Sequence, residues 1–271
     1  MPRRRDRMLA LGGLLPAAGV LYGVVARPRI NQWGATDQEH QATWPGDRLL
    51  AQPGYVWTNA ITIQRPADQV RPWLVQLGQG RGGLYSYDWL ENLVGCDIHS
   101  ADRILPRFQQ PLQVGDRVIR MASYAPSNPV ARFEPGRALV LGGVNDADAD
   151  LAAGRPSSTG PIQFVMQRKA MVGITQRAEG TWSRSPVDVV EPLLWLLAAG
   201  VLATASVRVL VQRMQWWRPY MVAVGAMGTV PELLFWQPPI ALGAVVDGVL
   251  LGALIGSRRP RRLAARGRRR R

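Results

Sequence analysis

The chain has 271 residues and a formal net charge of +14, a length that fits one domain of about 150 residues together with further segments. Arginines near the two ends and between residues 208 and 218 carry nearly all of this charge, so the body of the chain is not basic. The distribution argues against a folded nucleic-acid-binding face and is typical of charges that flank membrane-spanning segments. The single cysteine, Cys96, excludes an intramolecular disulfide.

The N-terminal part of the chain combines a basic segment with an apolar one. Residues 8–26 contain no charged side chain over about 19 residues, close to the ~20 needed to cross the hydrocarbon core of a bilayer. A cleaved signal peptide is the alternative, but Arg27 and Pro28 follow the apolar run directly and the small-residue cleavage sequence is poor. We predict a basic segment and transmembrane anchor at residues 1–28 and an extended polar linker at 29–55.

The middle of the chain, residues 56–180, alternates between strand and helix patterns and predicts a mixed α+β domain. A strand is predicted at 58–63, and apolar residues at i, i+3, i+4 and i+7 predict a helix over 66–77 that Pro72 should kink or shift. The elements predicted after it are a short helix at 84–94, a strand at 117–121, a hairpin at 130–144, a loose loop at 145–160 and an amphipathic helix at 161–179.

Residues 78–103 concentrate glycines, aromatic residues, aspartates and the cysteine. Gly78, Gly80 and Gly83 match G-x-G-x-x-G, but a helix pattern precedes them where a dinucleotide site requires a strand, so we predict a tight helix–helix joint instead. Aromatic residues with a few polar groups are typical of small-molecule pockets, and ordinary core packing is the alternative. The candidate ligand-binding residues are Trp73, Tyr85, Tyr87, Trp89, His99 and Arg103.

The same segment carries several acidic residues that could suggest a metal or general-base site. These residues are Asp88, Glu91, Asp97 and Asp102, together with His99. Their spacing matches no metal-ligand motif, and helix capping and salt bridges are commoner roles for such side chains. We therefore predict no metal, no cofactor and no assigned catalytic residue.

Seven short sequences along residues 33–180 can be compared with known families. They are WGAT (33–36), PGD (45–47), AITIQRPADQVRPWLVQLGQGRGG (60–83), YSYDWLENLVG (85–95), DIHSADRILP (97–106), VGDRV (114–118) and FVMQRKAMVGITQRAEG (164–180). With the element order, they resemble the START-like (SRPBCC) superfamily, in its polyketide cyclase/dehydrase and lipid-transport-like branch. The resemblance implies a helix-grip fold, in which the last helix lies across an antiparallel sheet. Residues 145–160 replace two strands that the family usually has, which implies a narrower sheet.

The C-terminal third lies outside this resemblance. Residues 187–256 are mostly apolar and predict transmembrane helices at 189–207, 220–236 and 240–256. The alternative for the last pair is one long buried element or a re-entrant loop. Glu232 lies near the end of one span and Asp247 at the centre of the last. Intramembrane carboxyl groups are costly and often functional, but a displaced helix boundary or pairing at a helix interface would also explain Asp247.

The three arginine clusters predict an orientation, because such clusters favour the cytoplasmic side. Four spans would place both termini of a multi-pass plasma-membrane protein in the cytoplasm and the START-like domain outside it. The arginine-rich tail, residues 257–271, would face anionic lipid headgroups, and nucleic acid is not an expected partner.

The predicted function is binding of a hydrophobic or amphipathic small molecule or lipid without catalysis. Two alternatives remain open at this point. One is a cyclase/dehydratase-like enzyme in which a Tyr, His or Asp of residues 78–103 moves a proton. The other is a degenerate START-like module with a structural or interaction role.

Overall fold

The computed structural model describes residues 4–49, 56–119, 128–142, 160–212 and 215–257. The chain divides into two compact units, which we call the helical unit (Met1–Val24 with Pro186–Arg271) and the mixed unit (Val25–Ser185). Helices dominate and a small sheet is present, so the predicted α+β class is confirmed. Of the loop predicted at 145–160, residues 145–159 lie outside the described residues, as does the tail from 258 onward.

The secondary-structure elements follow the predicted order except at two places. Residues 58–63 are not a strand, and the extended linker predicted at 29–55 contains a short helix, which begins at a capping box formed by Thr36 and Glu39. In chain order the elements are α1 (Arg4–Gly12), α2 (Leu14–Leu21), α3 (Arg27–Asn31), α4 (Asp37–Gln41), α5 (Ala67–Val75), α6 (Asp88–Leu93), β1 (Arg117–Ile119), β2 (Asn128–Glu134), β3 (Ala138–Leu141), α7 (Gly160–Glu179), α8 (Val187–Val211), α9 (Trp217–Pro231) and α10 (Ile240–Gly256). Two π-helical turns, Tyr22–Ala26 and Glu232–Trp236, follow α2 and α9, and 3₁₀ turns cover Asp47–Leu49 and Pro106–Phe108.

Within the described part of the chain, two helical stretches are long and apolar enough to cross a membrane by length and composition. They are Arg5–Asn31, with 27 residues, and Val187–Val211, with 25 residues. Ile240–Gly256 is a shorter apolar helix whose bounds match the prediction. The helix predicted at 220–236 is α9 with its π-helical continuation. The predicted helices are therefore confirmed as helices, and their insertion in a bilayer stays a prediction.

Side chains of arginine join several helix ends of the helical unit. Nη1 of Arg7 donates to the carbonyl oxygens of Val209 (3.3 Å), Leu210 (3.1 Å) and Gln212. Nη1 of Arg208 donates to the carbonyl oxygen of Leu254 and to Oγ of Ser257 (3.1 Å). The start of α1 and the ends of α8 and α10 thus meet at one end of the unit. Cations bound to carbonyl groups at helix C-termini also complement the helix dipole.

The mixed unit departs from the prediction at residues 58–63, which are not a strand. The segment is extended, and its amides at Thr58 and Ala60 donate to the carbonyl oxygens of Asn31 (2.8 Å) and Trp33 (2.9 Å). Gly34 has φ +72°, and a Cβ there would collide with the carbonyl oxygen of Ala60. The predicted strand is wrong because the segment pairs with irregular chain after α3.

The sheet has three antiparallel strands in the order β1-β2-β3. β2 and β3 form the predicted hairpin, closed by the bond from the Arg137 amide to the Glu134 carbonyl oxygen (3.0 Å). The sheet packs on the end of α5 through a cluster of Val75, Leu112 and Val130. The sheet therefore supports α5 from one side.

The long helix α7 confirms the helix predicted at 161–179. It packs on α5 and on residues 78–103 through a cluster of Trp73, Tyr85 and Ile174, with Ile104 and other apolar side chains around it. No strand residue belongs to this cluster among the described residues. The helix-grip arrangement, in which the last helix crosses the sheet, is therefore not confirmed. α5, lying between α7 and the sheet, holds the candidate site in place.

Candidate functional site

The glycines after α5 form the tight joint that the sequence predicts. Gly78 and Gly83 exchange two backbone hydrogen bonds, of 2.9 and 3.1 Å, and both have positive φ, 123° and 77°. A Cβ on Gly83 would lie 2.5 Å from Cα of Ser100. Only glycine permits this backbone conformation and this close approach. The joint reverses the chain so that Tyr85 returns to the surface of α5.

Tyr85 and Trp73 form the centre of the mixed unit. Their rings meet edge to face with centroids 5.9 Å apart, and both side chains are buried. The Tyr85 hydroxyl accepts from Nε2 of Gln76 (2.8 Å) and donates to the Trp73 carbonyl oxygen (3.2 Å), while the Arg177 guanidinium lies 4.6 Å from the Tyr85 ring centroid. Burial raises the pKa of Tyr85 to about 12, so the phenol stays neutral. The hydrogen bonds of the Tyr85 hydroxyl are thus already made with other groups of the protein.

Gln76 is fully buried and connects α5 to the segment after it. Its Nε2 also donates to the Arg103 carbonyl oxygen (3.2 Å), and its Oε1 accepts from the Leu105 amide (2.9 Å) and from Nε2 of Gln109 (3.3 Å). Sequence reasoning missed this residue. The available signal was a lone polar side chain within the apolar run WLVQL, next to the apolar face of the helix.

Tyr87 faces α7 instead of α5. Its side chain is buried, and Nζ of Lys169 lies 5.0 Å from its ring centroid. Next to it, Oγ of Ser86 donates to the Met166 carbonyl oxygen (3.3 Å), and Trp89 is half-buried. Ser86 and Tyr87 are therefore in contact with the N-terminal half of α7.

Glu91 on α6 is a buried carboxyl group with a raised pKa and with one oxygen unpaired among the described residues. Its side chain is 5% exposed, and Oε2 has no hydrogen-bond partner in the described part of the chain. Burial, helped by the nearby Asp88 carboxylate, raises the pKa of Glu91 to about 7, against a hydrogen bond with Ser86 that lowers it. Asp88 itself accepts from the amide and Oγ of Ser100, both at 2.6 Å. Glu91 can therefore hold or release a proton near neutral pH.

The remaining predicted site residues lie elsewhere. His99 is exposed and pairs with the exposed Asp97 at 3.0 Å. The Arg103 side chain is also exposed, although its carbonyl oxygen accepts from Gln76. The structure thus brings together Trp73 with Tyr85 and places Tyr87 against α7, whereas Trp89 lies on α6. Within the described ranges, no group of three or more His, Cys, Asp or Glu side chains is placed to hold a metal ion.

Searches of protein-family models, curated proteins and solved structures find no match to this chain. No match therefore supports the resemblance to START-like domains, which stays a prediction from the motifs of the sequence.

Glu91 predicts a particular dependence of stability on pH. Because the pKa of Glu91 rises from its ordinary 4.5 to about 7, the unfolded chain releases this proton at lower pH than the folded chain. The free energy of unfolding should then fall between about pH 4.5 and pH 7 by about 3 kcal/mol, and this contribution should be constant above pH 7. Glu91→Gln should remove that fall and leave the mixed unit more stable than the wild type at about pH 8.

The buried thiol of Cys96 provides the measurement, since it is 2% exposed and lies in the mixed unit. Its reaction with dithiodipyridine, which modifies thiols at acidic and neutral pH, reports unfolding of this unit in a denaturant series. Asp97→Asn, which alters an exposed carboxyl group of the same loop, should keep the wild-type pH dependence. A fall of equal size in Glu91→Gln would show that another group causes it.

Proposed function

We propose that this chain is a multi-pass membrane protein whose mixed unit binds a hydrophobic or amphipathic small molecule without catalysis. The observation that carries the proposal is the unpaired Oε2 of Glu91 inside an aromatic-rich segment. Buried polar atoms in folded proteins nearly always have a hydrogen-bond partner. The polar end of a bound molecule, such as a hydroxyl group, would supply the missing partner, and the half-buried Trp89 on the same helix offers apolar surface.

We also propose that the mixed unit is a reduced relative of START-like domains. The motifs between residues 33 and 180 support this, as does the succession of α5, α6, a hairpin and a long last helix. In this proposal the covering helix α7 rests on α5 and residues 78–103, because the sheet is too narrow to receive it. The ligand would then lie between α6 and α7.

A second candidate function follows from the pKa of Glu91. A carboxyl group whose pKa lies near 7 is suited to general acid–base catalysis. This favours a cyclase/dehydratase-like enzyme in which Glu91 moves the proton, instead of the Tyr, His or Asp considered from the sequence. Asp88 would then act only by raising the pKa of Glu91, since both of its oxygens already accept from Ser100.

Light-driven crosslinking separates these functions. A long-chain alcohol carrying a diazirine is added to the full chain in lipid nanodiscs, and the modified peptides are identified by mass spectrometry. We expect attachment to α6 and to the facing half of α7. Glu91→Gln should lower it about tenfold, because a hydrogen bond to a carboxylate is replaced by the weaker bond to a neutral amide oxygen. Asp97→Asn serves as the matched control and should leave attachment unchanged.

Attachment confined to the helical unit would contradict binding by the mixed unit and favour a structural module. Conversion of the added alcohol by the wild type, lost in Glu91→Gln while attachment persists, would favour the enzyme.

We propose that the helical unit spans the plasma membrane with both chain termini in the cytoplasm and the mixed unit outside it. Its helices expose large apolar side chains, among them Val20 (65%), Leu196 (58%) and Val249 (66%), which water would solvate poorly. Arg7, Arg208 and Ser257 meet at one end of the unit, which supports a common side for the three arginine clusters. The tail beyond Ser257 would then contact anionic headgroups.

Cysteine labelling tests this orientation. In a Cys96→Ala background, Val114→Cys places a thiol at an exposed position (74%) of the mixed unit, and Ala265→Cys places one in the tail. A membrane-impermeant maleimide should label the first in intact cells and the second only after the membrane is opened. Labelling of the tail alone in intact cells would overturn the proposed orientation.

A further inference from the structure

Asp247 is a buried carboxyl group that the proposed ligand site does not use. It lies near the middle of α10 and is 1% exposed. Neither of its carboxyl oxygens has a hydrogen-bond partner among the described residues. An ionisable group in this state is unusual, because unpaired buried charge is among the costliest features of a folded protein.

The neighbours of Asp247 along α10 show that its face points into the helical unit. Gly243, Asp247, Leu250 and Leu254 are spaced i, i+4, i+7 and i+11, which places them on one helix face. A Cβ on Gly243 would lie 3.0 Å from Cδ2 of Leu233 and 3.3 Å from Cδ1 of Leu194. Leu254 belongs to the cluster that α8 and α9 form. Asp247 is therefore enclosed by protein and does not face the surrounding lipid.

The groups around this face are apolar. The shared cluster of α8, α9 and α10 consists of Val201, Ala205, Val222, Ala223, Ala226 and Leu254. The hydroxyl groups of Ser206 and Thr229 donate to carbonyl oxygens of their own helices, at 2.8 and 3.0 Å. They do not donate to Asp247, since both carboxyl oxygens lack partners.

Charged side chains of the neighbouring elements lie toward the helix ends. They are Arg5, Asp6 and Arg7 on α1, Asp188, Glu191 and Arg208 on α8, Arg218 on α9 and Glu232 on the π-helical turn. Asp247 lies about 10 Å along α10 from its first residue and ~13 Å from its last. None of these groups hydrogen-bonds to it.

The apolar surroundings determine whether the Asp247 carboxyl group is a free carboxylate, a metal ligand or a neutral acid. A carboxylate without a partner would be costly in this apolar interior. A metal cation would need several oxygen ligands, and the described residues offer no cluster of acidic, His or Cys side chains. The neutral acid needs neither a counter-charge nor further ligands.

We propose that Asp247 is a proton-binding site of the helical unit, a carboxylic acid that exchanges its proton with water only when the surrounding helices separate. Loss of the proton transfers it from the carboxyl oxygen to a water molecule and leaves a carboxylate that the closed unit does not accommodate. Proton release and separation of α10 from α8 and α9 are therefore coupled. The site gives the helical unit a response to protons that is independent of ligand binding by the mixed unit.

Infrared difference spectroscopy tests the site in the full chain in nanodiscs. The spectrum of the wild type minus that of Asp247→Asn should show the carbonyl stretch of one protonated carboxyl group near neutral pH. This band should move to lower frequency after transfer to D₂O, because the proton exchanges. The matched difference for Asp97→Asn, an exposed carboxyl group, should show carboxylate stretches instead. Carboxylate stretches for Asp247, or a protonated band that never shifts in D₂O, would overturn the proposal.

Carbodiimide labelling of the wild type provides a second measurement that needs no variant to fold. Dicyclohexylcarbodiimide is lipophilic and adds to protonated carboxyl groups, which it converts to a stable N-acylurea without a leaving group. We expect this adduct on the peptide that contains Asp247, and we expect a water-soluble carbodiimide to leave that peptide unmodified. Equal modification by both reagents would show that Asp247 is not enclosed, and modification by neither would show that the helices do not separate to expose a protonated carboxyl group.

Discussion

Replacement of Trp73 by alanine should lower the free energy of unfolding of the mixed unit by about 3–5 kcal/mol, the usual cost of removing a buried indole ring. Trp73 is 8% exposed and forms the central cluster with Tyr85 and Ile174. Its ring contributes the edge-to-face contact with Tyr85 at 5.9 Å. The hydrogen bond from the Tyr85 hydroxyl reaches the backbone of residue 73, so the variant loses packing and keeps this bond.

Denaturant unfolding followed through Cys96 measures the loss, and Trp44→Ala is the matched control. Trp44 lies in the same unit but is 48% exposed, with one hydrogen bond from its Nε1 to the Glu39 carbonyl oxygen (3.0 Å). Its replacement should cost about 1 kcal/mol or less. Equal costs at the two positions would place Trp73 outside the core. A folded Trp73→Ala variant that binds the diazirine alcohol as the wild type does would remove Trp73 from the ligand site.

The helices were predictable because their signals are local. The spacing of Val70, Trp73, Leu74 and Leu77 predicts one apolar face, and these side chains do belong to one cluster. The bounds of α10 follow from Pro238 and Pro239 at its start and the end of the apolar run at Gly256. Neither signal depends on what the helix packs against.

Pairing between distant segments was not predictable in the same way. Alternation within residues 58–63 indicates an extended chain, but it does not identify the partner of that chain. The partner is the turn around Trp33, which Gly34 allows to approach Ala60 closely. For the same reason, the periodicity of α7 predicts a buried face without showing whether a sheet or α5 will cover it.

The sequence predicts the buried aromatic residues of the candidate site but not its buried polar ones. Apolar bulk indicates burial of Trp73, Tyr85 and Tyr87, and all three are buried. Gln76, just after the end of α5, and Glu91, within α6, are polar residues of a kind that is usually exposed, and only tertiary contacts bury them. The sequence predicts His99 as a ligand-binding residue because an imidazole can exchange hydrogen bonds and protons. The chain turns at Asp97, which has φ +49°, and the side chains of Asp97 and His99 both lie in solvent.

Gly173→Ala should destabilise the mixed unit by about 1–3 kcal/mol, because a methyl group at this position collides with the backbone of Tyr85 and not with the end of a flexible side chain. A Cβ on Gly173 would collide with the carbonyl oxygen of Tyr85 and lie 2.9 Å from its Cβ. Tyr85 has φ +57°, and its amide donates a hydrogen bond to Oγ of Ser100 (2.8 Å). A shift of the Tyr85 backbone away from the new methyl group would break this bond. Alanine favours helix formation over glycine by ~1 kcal/mol, so the clash must exceed that gain.

Gly200→Ala is the matched control, since Gly200 lies within α8 and a Cβ there meets nothing within 4 Å. This variant should keep the wild-type exposure of Cys96 and raise helix stability by roughly 0.5–1 kcal/mol. If Gly173→Ala instead unfolds at the wild-type denaturant concentration, α7 does not lie against the backbone of Tyr85. The contacts of Arg177 with Tyr85 and of Lys169 with Tyr87 would then also be displaced, because the same helix carries them. The proposed ligand site between α6 and α7 requires α7 to lie against the backbone of Tyr85, so this substitution also tests the position of that site.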